Sequence, residues 1–153
     1  MLKIYNIKEK MQYVKEIAIL TQKEWGTSYL SEEEFNKKIK KKIEKIKSNL
    51  DNTNYRKLIL LDYDKLVGFI SLFPRDGEER IDLTPWYATM FVKKEYRGKG
   101  YSKILNSAIL KEAKQRGFNK VYLKSDLKNY YEKFGAVYME NLKNGEKLYY
   151  IDL

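Results

Sequence analysis

The 153-residue chain contains neither cysteine nor histidine. Disulfides, thiol nucleophiles, Cys/His zinc sites and Ser-His-Asp triads are therefore excluded, and any proton transfer must use Tyr, Asp, Glu, Lys, water or the backbone. No apolar run approaches the roughly 20 residues of a membrane-spanning helix. The first residues also lack the apolar core and cleavage site of a signal peptide, so a cytoplasmic protein is expected. Nor is there an internal repeat or a low-complexity linker.

Hydrophobic residues make up 43% of the chain and aromatic residues 14%, enough to fill a real core. At this length a single domain is expected. The net charge is +10, and its densest run, Lys37 to Lys47, places Ile39, Ile43 and Ile46 at helical spacing. That pattern reads as a solvated basic helix with one apolar stripe; the same pattern also suits docking to an acidic surface. Part of the charge can serve a ligand carrying several phosphates.

Taken in order, Leu2 to Ile7 alternates as an edge strand. Met11, Val14, Ile17, Ala18 and Thr21 line one face of a helix ending at Trp25-Gly26. Ser31 with Glu34 forms a capping-box pattern for a second helix, acidic in its first turn, basic toward its far end and closing near Leu50. Lys57 to Leu61 and Leu66 to Phe73 read as a hairpin, and Pro74 to Glu79 as a loop. Pro85 opens a central strand, with Trp86 suited equally to core or pocket wall. A helix follows the central strand, with Ile104, Leu105, Ala108, Ile109 and Ala113 near i, i+3, i+4 spacing and Glu112 out of character. Gly117 is placed to end it. Lys120 to Lys124 is a further strand, Ser125-Asp126 is read as the cap of a short helix around Tyr131, and Val137 to Glu140 with Lys147 to Ile151 form a closing hairpin.

The most informative stretch is Met90-Phe-Val-Lys-Lys-Glu-Tyr-Arg-Gly-Lys-Gly-Tyr-Ser102, which reads strand, tight loop, helix. Gly98 and Gly100 permit positive φ and leave backbone N–H groups unpaired at the positive end of a helix, an arrangement that binds phosphate. A dinucleotide fingerprint would need glycine at Lys103, and no Walker loop can be written anywhere in the chain. An ordinary glycine-containing turn is the plain alternative.

Arg97-Gly98-Lys99-Gly100-Tyr101-Ser102 resembles the R-x-x-G-x-G/A loop with which the GCN5-related N-acetyltransferase (GNAT) superfamily binds the pyrophosphate of acetyl-CoA. Ser102 stands where that family has Gly or Ala. Downstream, Tyr130-Tyr131-Glu132-Lys133-Phe134-Gly135 is similar to the family's short Tyr-Glu-Lys helix, with Ala136 replacing the usual aromatic. The approach Thr84-Pro85-Trp86 also looks familial.

The resemblance implies an α/β (α+β) fold with a mixed, splayed sheet of about six or seven strands flanked by about four helices. Residues 1–153 would then be one N-acetyltransferase domain, transferring acetyl directly from acetyl-CoA to an amine in a ternary complex. It further implies that Met90, Phe91 and Val92 offer backbone groups to the coenzyme's pantetheine arm and thioester oxygen, and that Arg97 to Ser102 holds the pyrophosphate. Tyr131 would protonate the leaving thiolate; its alternative is a core aromatic, and Tyr130 is the competing register. The base is unidentified among Glu78, Glu79, Asp82 and Asp126, with Asp126 and Asp82 ranked first against the reading of each as a solvated loop residue or cap. No metal is expected. The acceptor would be a small-molecule or peptide amine, with no membrane and no nucleic-acid partner, while homodimerisation stays open. The rival class is a non-catalytic basic module that binds nucleic acid or protein through the Lys37 to Lys47 helix.

Overall fold

The computed structural model describes residues Met1–Leu153. Seven strands, β1 (Leu2–Asn6), β2 (Arg56–Asp62), β3 (Lys65–Phe73), β4 (Trp86–Val92), β5 (Lys120–Ser125), β6 (Val137–Asn141) and β7 (Lys147–Asp152), form one sheet in the order β1-β2-β3-β4-β5-β7-β6. Every pairing is antiparallel except β4–β5. Three α-helices accompany it: α1 (Val14–Trp25), α2 (Glu32–Ser48) and α3 (Tyr101–Gln115). The expected fourth helix is a single 3₁₀ turn, Tyr131–Phe134.

The sheet is covered on both faces, which is why β2 and β3 read as nearly continuous apolar runs rather than alternating ones. On one face α3 sets Leu105, Ile109 and Ala113 against Leu60, Val67 and Ile70. On the other, Val14 and Ile17 of α1 and Ile46 of α2 pack on Ile59, Leu66 and Phe69. The apolar stripe of α2 is thus consumed by the core, leaving a solvated row of lysines outside. Ser31 Oγ accepts the Glu34 N–H at 3.1 Å, and acidic first and basic last turns complement the helix dipole as the sequence indicates.

Glu112, the anomaly on α3, lies between two guanidinium groups, with Arg56 Nε at 2.7 Å and Arg116 Nε at 3.4 Å. Trp86 is core: it is 1% exposed, packs with Leu142 and Leu148, and donates its indole N–H to Leu83 O at 2.9 Å. Ser125 does not cap the Tyr131 turn. Its hydroxyl accepts the Leu127 N–H at 3.0 Å and closes the bend directly after β5, whereas the Tyr131 turn has no side-chain cap at all.

Candidate active site

The sheet opens at its middle. β4 and β5 share one register pair, Trp86 with Tyr122, next to the bond from Tyr122 N–H to Pro85 O at 3.0 Å. Beyond it no strand covers the β5-facing edge of β4. On its other edge β4 bulges: Phe91 pairs with Phe69 and Ala88 with Ser71, so Thr89 and Met90 stand opposite Ile70 alone. Thr89 takes φ +51°, a value β-branched residues rarely adopt. The bulge re-aims this segment into the gap. Gly68 allows the close approach behind it, since a Cβ there would lie 2.4 Å from Phe91 O.

The resulting cleft has a volume of about 1090 Å³. Of the residues the sequence singles out, it gathers Met90, Phe91, Val92, Arg97, Gly98, Gly100, Tyr101, Ser102, Asp126 and Tyr131. Lys99 is not in its wall and lies over the Tyr96 ring at 6.0 Å. Asp82 is also outside: its carboxylate oxygens are each 3.0 Å from Arg80, whose guanidinium holds the carboxyl below its usual range. Glu79 accepts the Lys143 N–H at 2.8 Å, and neither it nor Glu78 reaches the cleft.

The loop between β4 and α3 is bare backbone. Gly98 (φ +78°) and Gly100 (φ +81°) need left-handed conformations, and no atom lies within 4 Å of where a Cβ would sit on either. Gly100 is the N-cap of α3, with no capping side chain and no acidic residue in the first turn. The positive pole of α3 is therefore uncompensated, as an anion site requires. Arg97 donates from Nε to Val92 O at 2.8 Å and spreads its guanidinium 5.5 Å from the Phe91 ring, which orders the loop's entry.

Across the cleft Tyr131 meets Tyr130 at 4.8 Å and Tyr87 at 6.0 Å between ring centroids, both edge-on. Burial, and then the neighbouring Tyr130 hydroxyl, push the Tyr131 phenol up to about 12. It is a firmly protonated donor at neutral pH. Burial pushes Tyr87 up further still. Gly135 (φ +90°) ends the turn that carries Tyr131.

Sequence reasoning missed the rest of the wall. Glu24 and Trp25 enter from the end of α1, Asp76 from the loop after β3, and Glu146 from the turn before β7. Burial raises the Asp76 carboxyl, offset in part by Lys124, whose ammonium donates to Asp76 O at 2.9 Å. In sequence Asp76-Gly77 looks like nothing more than a turn. Also unmarked were two buried polar residues behind Thr89. Thr89 Oγ1 donates to Ser71 Oγ at 2.8 Å, and Lys57 Nζ lies 2.5 Å from the same oxygen. A lysine inside an apolar strand was the available signal. No cluster of three or more His, Cys, Asp or Glu side chains suited to a metal is present.

Several solved structures share this architecture. PaiA N-acetyltransferase from Thermoplasma acidophilum, in complex with coenzyme A, is 20% identical with a TM-score of 0.71, covering 100% of this chain and 99% of that one. An aminoglycoside 6'-N-acetyltransferase complexed with coenzyme A is 18% identical with a TM-score of 0.73, covering 98% and 96%. A variant of the spermidine N-acetyltransferase SpeG from Vibrio cholerae is 19% identical with a TM-score of 0.71, covering 99% and 93%. At these identities the likeness is one of fold. Among curated proteins none matches the sequence. The family model described as "Acetyltransferase (GNAT) family" matches residues 14–136, a span that contains both the bare glycine loop and the Tyr131 turn, and the chain belongs to that family.

Proposed function

We propose that this protein transfers the acetyl group of acetyl-CoA directly to a primary amine of a small, cationic acceptor. The observation that carries the reading is the convergence in one cleft of an uncapped helix N-terminus with bare glycines, an unpaired strand edge and a half-buried tyrosine. The loop fits the coenzyme's pyrophosphate: a Cβ at Gly98 or Gly100 would occupy the open space that phosphate oxygens need. Gly98, Gly100, Tyr101 and Ser102 would hold the diphosphate, with Arg97 and Lys99 adding charge. Bound acetyl-CoA would supply an activated acyl carbon and a thiol leaving group.

The chain's own residues account for the remainder. Backbone groups of the Met90, Phe91 and Val92 segment, which lines the cleft beside the gap between β4 and β5, would polarise the thioester carbonyl oxygen. The Tyr131 hydroxyl is protonated at neutral pH and able to donate to a developing thiolate. No thiol exists to carry the acyl group, which favours direct transfer. Glu24, Asp126 and Glu146 line the same cleft together with the Lys124-paired Asp76, against the cations Arg97 and Lys133, so its wall carries a small excess of negative charge within a chain of net charge +10. That sign attracts an ammonium. Asp126 keeps a place in this reading, as one of the carboxylates that draw the cation; Asp82, turned to Arg80 outside the cleft, does not.

Calorimetric titration with acetyl-CoA, followed by thiol release with spermidine, kanamycin and a lysine-containing peptide, tests the reading. Saturable acetyl-CoA binding and turnover of a small polycation are expected. A folded protein that fails to bind acetyl-CoA and instead is held on polyanions in a salt-sensitive way would support the basic binding module.

A further inference from the structure

We propose that Thr89, Ser71 and Lys57 form a proton relay that deprotonates the acceptor's ammonium group, with Lys57 Nζ as the terminal proton acceptor. The inference rests on the acetyltransferase reading above and adds the base that reading lacks. Lys57 is 4% exposed, and its Nζ lies over the rings of Phe69 at 5.2 Å and Phe73 at 5.9 Å. It has no ion-pair partner; its hydrogen bond is to Ser71 Oγ, and Ser71 is itself fully buried. Burying an unpaired ammonium is costly, so a lysine in this apolar position is under pressure to be neutral.

The charged groups that face it are Lys45 and Lys42 of α2, both cations. Burial first, then these two lysines, push the Lys57 amine down to about 7. A base poised near the working pH suits general-base catalysis better than an ordinary carboxylate, whose pKa near 4 is poorly matched to an ammonium near 10.

Geometry gives the path. Thr89 lines the cleft, its unusual φ of +51° turns it there within the β4 bulge, and its Oγ1 is 2.8 Å from Ser71 Oγ, which is 2.5 Å from Lys57 Nζ. With Lys57 neutral, the Ser71 hydroxyl donates to the Nζ lone pair, the Thr89 hydroxyl donates to Ser71 Oγ, and Thr89 Oγ1 is left to accept from the substrate. The ammonium N–H bond breaks as its proton passes to Thr89 Oγ1. The Thr89 proton moves to Ser71 Oγ, and the Ser71 proton to Nζ. Charge moves from substrate to Lys57, both hydroxyls are regenerated, and the amine lone pair is freed. The stored proton returns to water by the same path once product has left.

Two readouts test the relay. In ¹³Cε-lysine NMR of the protein alone, one lysine should titrate near pH 7 and be missing from Lys57→Met. With the best acceptor of the three amines above, Lys57→Met, Ser71→Ala and Thr89→Val should each lower kcat/KM at neutral pH by roughly 10²-fold. The Lys57→Met/Ser71→Ala pair should lose no more than either alone. Each deficit should shrink as rising pH deprotonates the amine in solution, and trifluoroethylamine, already neutral, should be used equally by all variants. A Lys57 that titrates with the ordinary lysines, a Lys57→Met enzyme with the wild-type pH profile, or a loss equal for every acceptor at every pH would each overturn the relay. A wild type that binds no acetyl-CoA in calorimetry would instead sink the reading on which the relay rests, whatever the lysine signal shows.

Discussion

Tyr131 and Lys57 are both titratable groups moved by burial, in opposite senses on the pH scale, because burial always disfavours the charged form. Raised to about 12, Tyr131 keeps its proton far into the alkaline range. Tyr131→Phe retains the ring and deletes that proton, so kcat should fall by roughly 10²-fold with little change in the KM for acetyl-CoA. Steady-state kinetics beside a Tyr130→Phe control check this, and a crippled Tyr130→Phe with a near-normal Tyr131→Phe would move the assignment by one residue. Lys57 is the reverse case. Its folded value of about 7 lies below the 10.5 of the free side chain. Between those values the unfolded chain binds more protons than the folded one, so stability rises with pH across that window and the full penalty is present below it. Lys57→Met should therefore be more stable than wild type by a few kcal/mol, about 3–5, at pH 6–7, with the gap closing toward pH 10. Denaturant melts at the two ends of the window check it.

The loop from β4 to α3 depends on two left-handed glycines and an uncapped helix end. Gly100→Val adds a branched side chain where φ is +81° and where backbone must remain accessible. The strain should cost about 1–2 kcal/mol of stability, while acetyl-CoA affinity should fall by much more than tenfold. Calorimetry with a melting curve separates the two effects, and unchanged affinity in a folded variant would refute the loop assignment. The Tyr131 turn shows the limit of reading elements from pattern. Its sequence resembles a helix, yet Gly135 at φ +90° stops it after four residues, so it holds its tyrosine through ring contacts with Tyr130, Tyr87 and Phe134 and not through helical length.

At the scale of the molecule the net charge of +10 is divided unequally. Most lysines of α2 face solvent, the glycine loop is positive, and the cleft carries Glu24, Asp76, Asp126 and Glu146 against Arg97, Lys124 and Lys133. Two ligands of opposite sign would each meet a complementary field. Raising salt from roughly 0.05 to 0.5 M should weaken acetyl-CoA binding and also raise the KM of a polycationic acceptor, because screening acts on both signs. If the α2 lysines alone set the field, salt would instead lower the acceptor's KM by relieving repulsion.

Most elements were legible because their signals are local. Alternation in β1 and β5, the apolar runs of β2 and β3, the Ser31 cap and glycine positions act over a few residues and placed most strands and α1 to α3 closely. The phosphate loop was legible for the same reason, since its chemistry lies in contiguous backbone. Order in the sheet, the single β4–β5 register pair and the bulge at Thr89 are long-range packing outcomes with no signature in sequence spacing. Only that packing decided that Asp126 faces the cleft while Asp82 faces Arg80. It also decided that Lys57, Ser71 and Thr89, on three neighbouring strands, meet within hydrogen-bond distance. Residues 32 positions apart can share a proton only when strand register puts their side chains on the same face of the sheet.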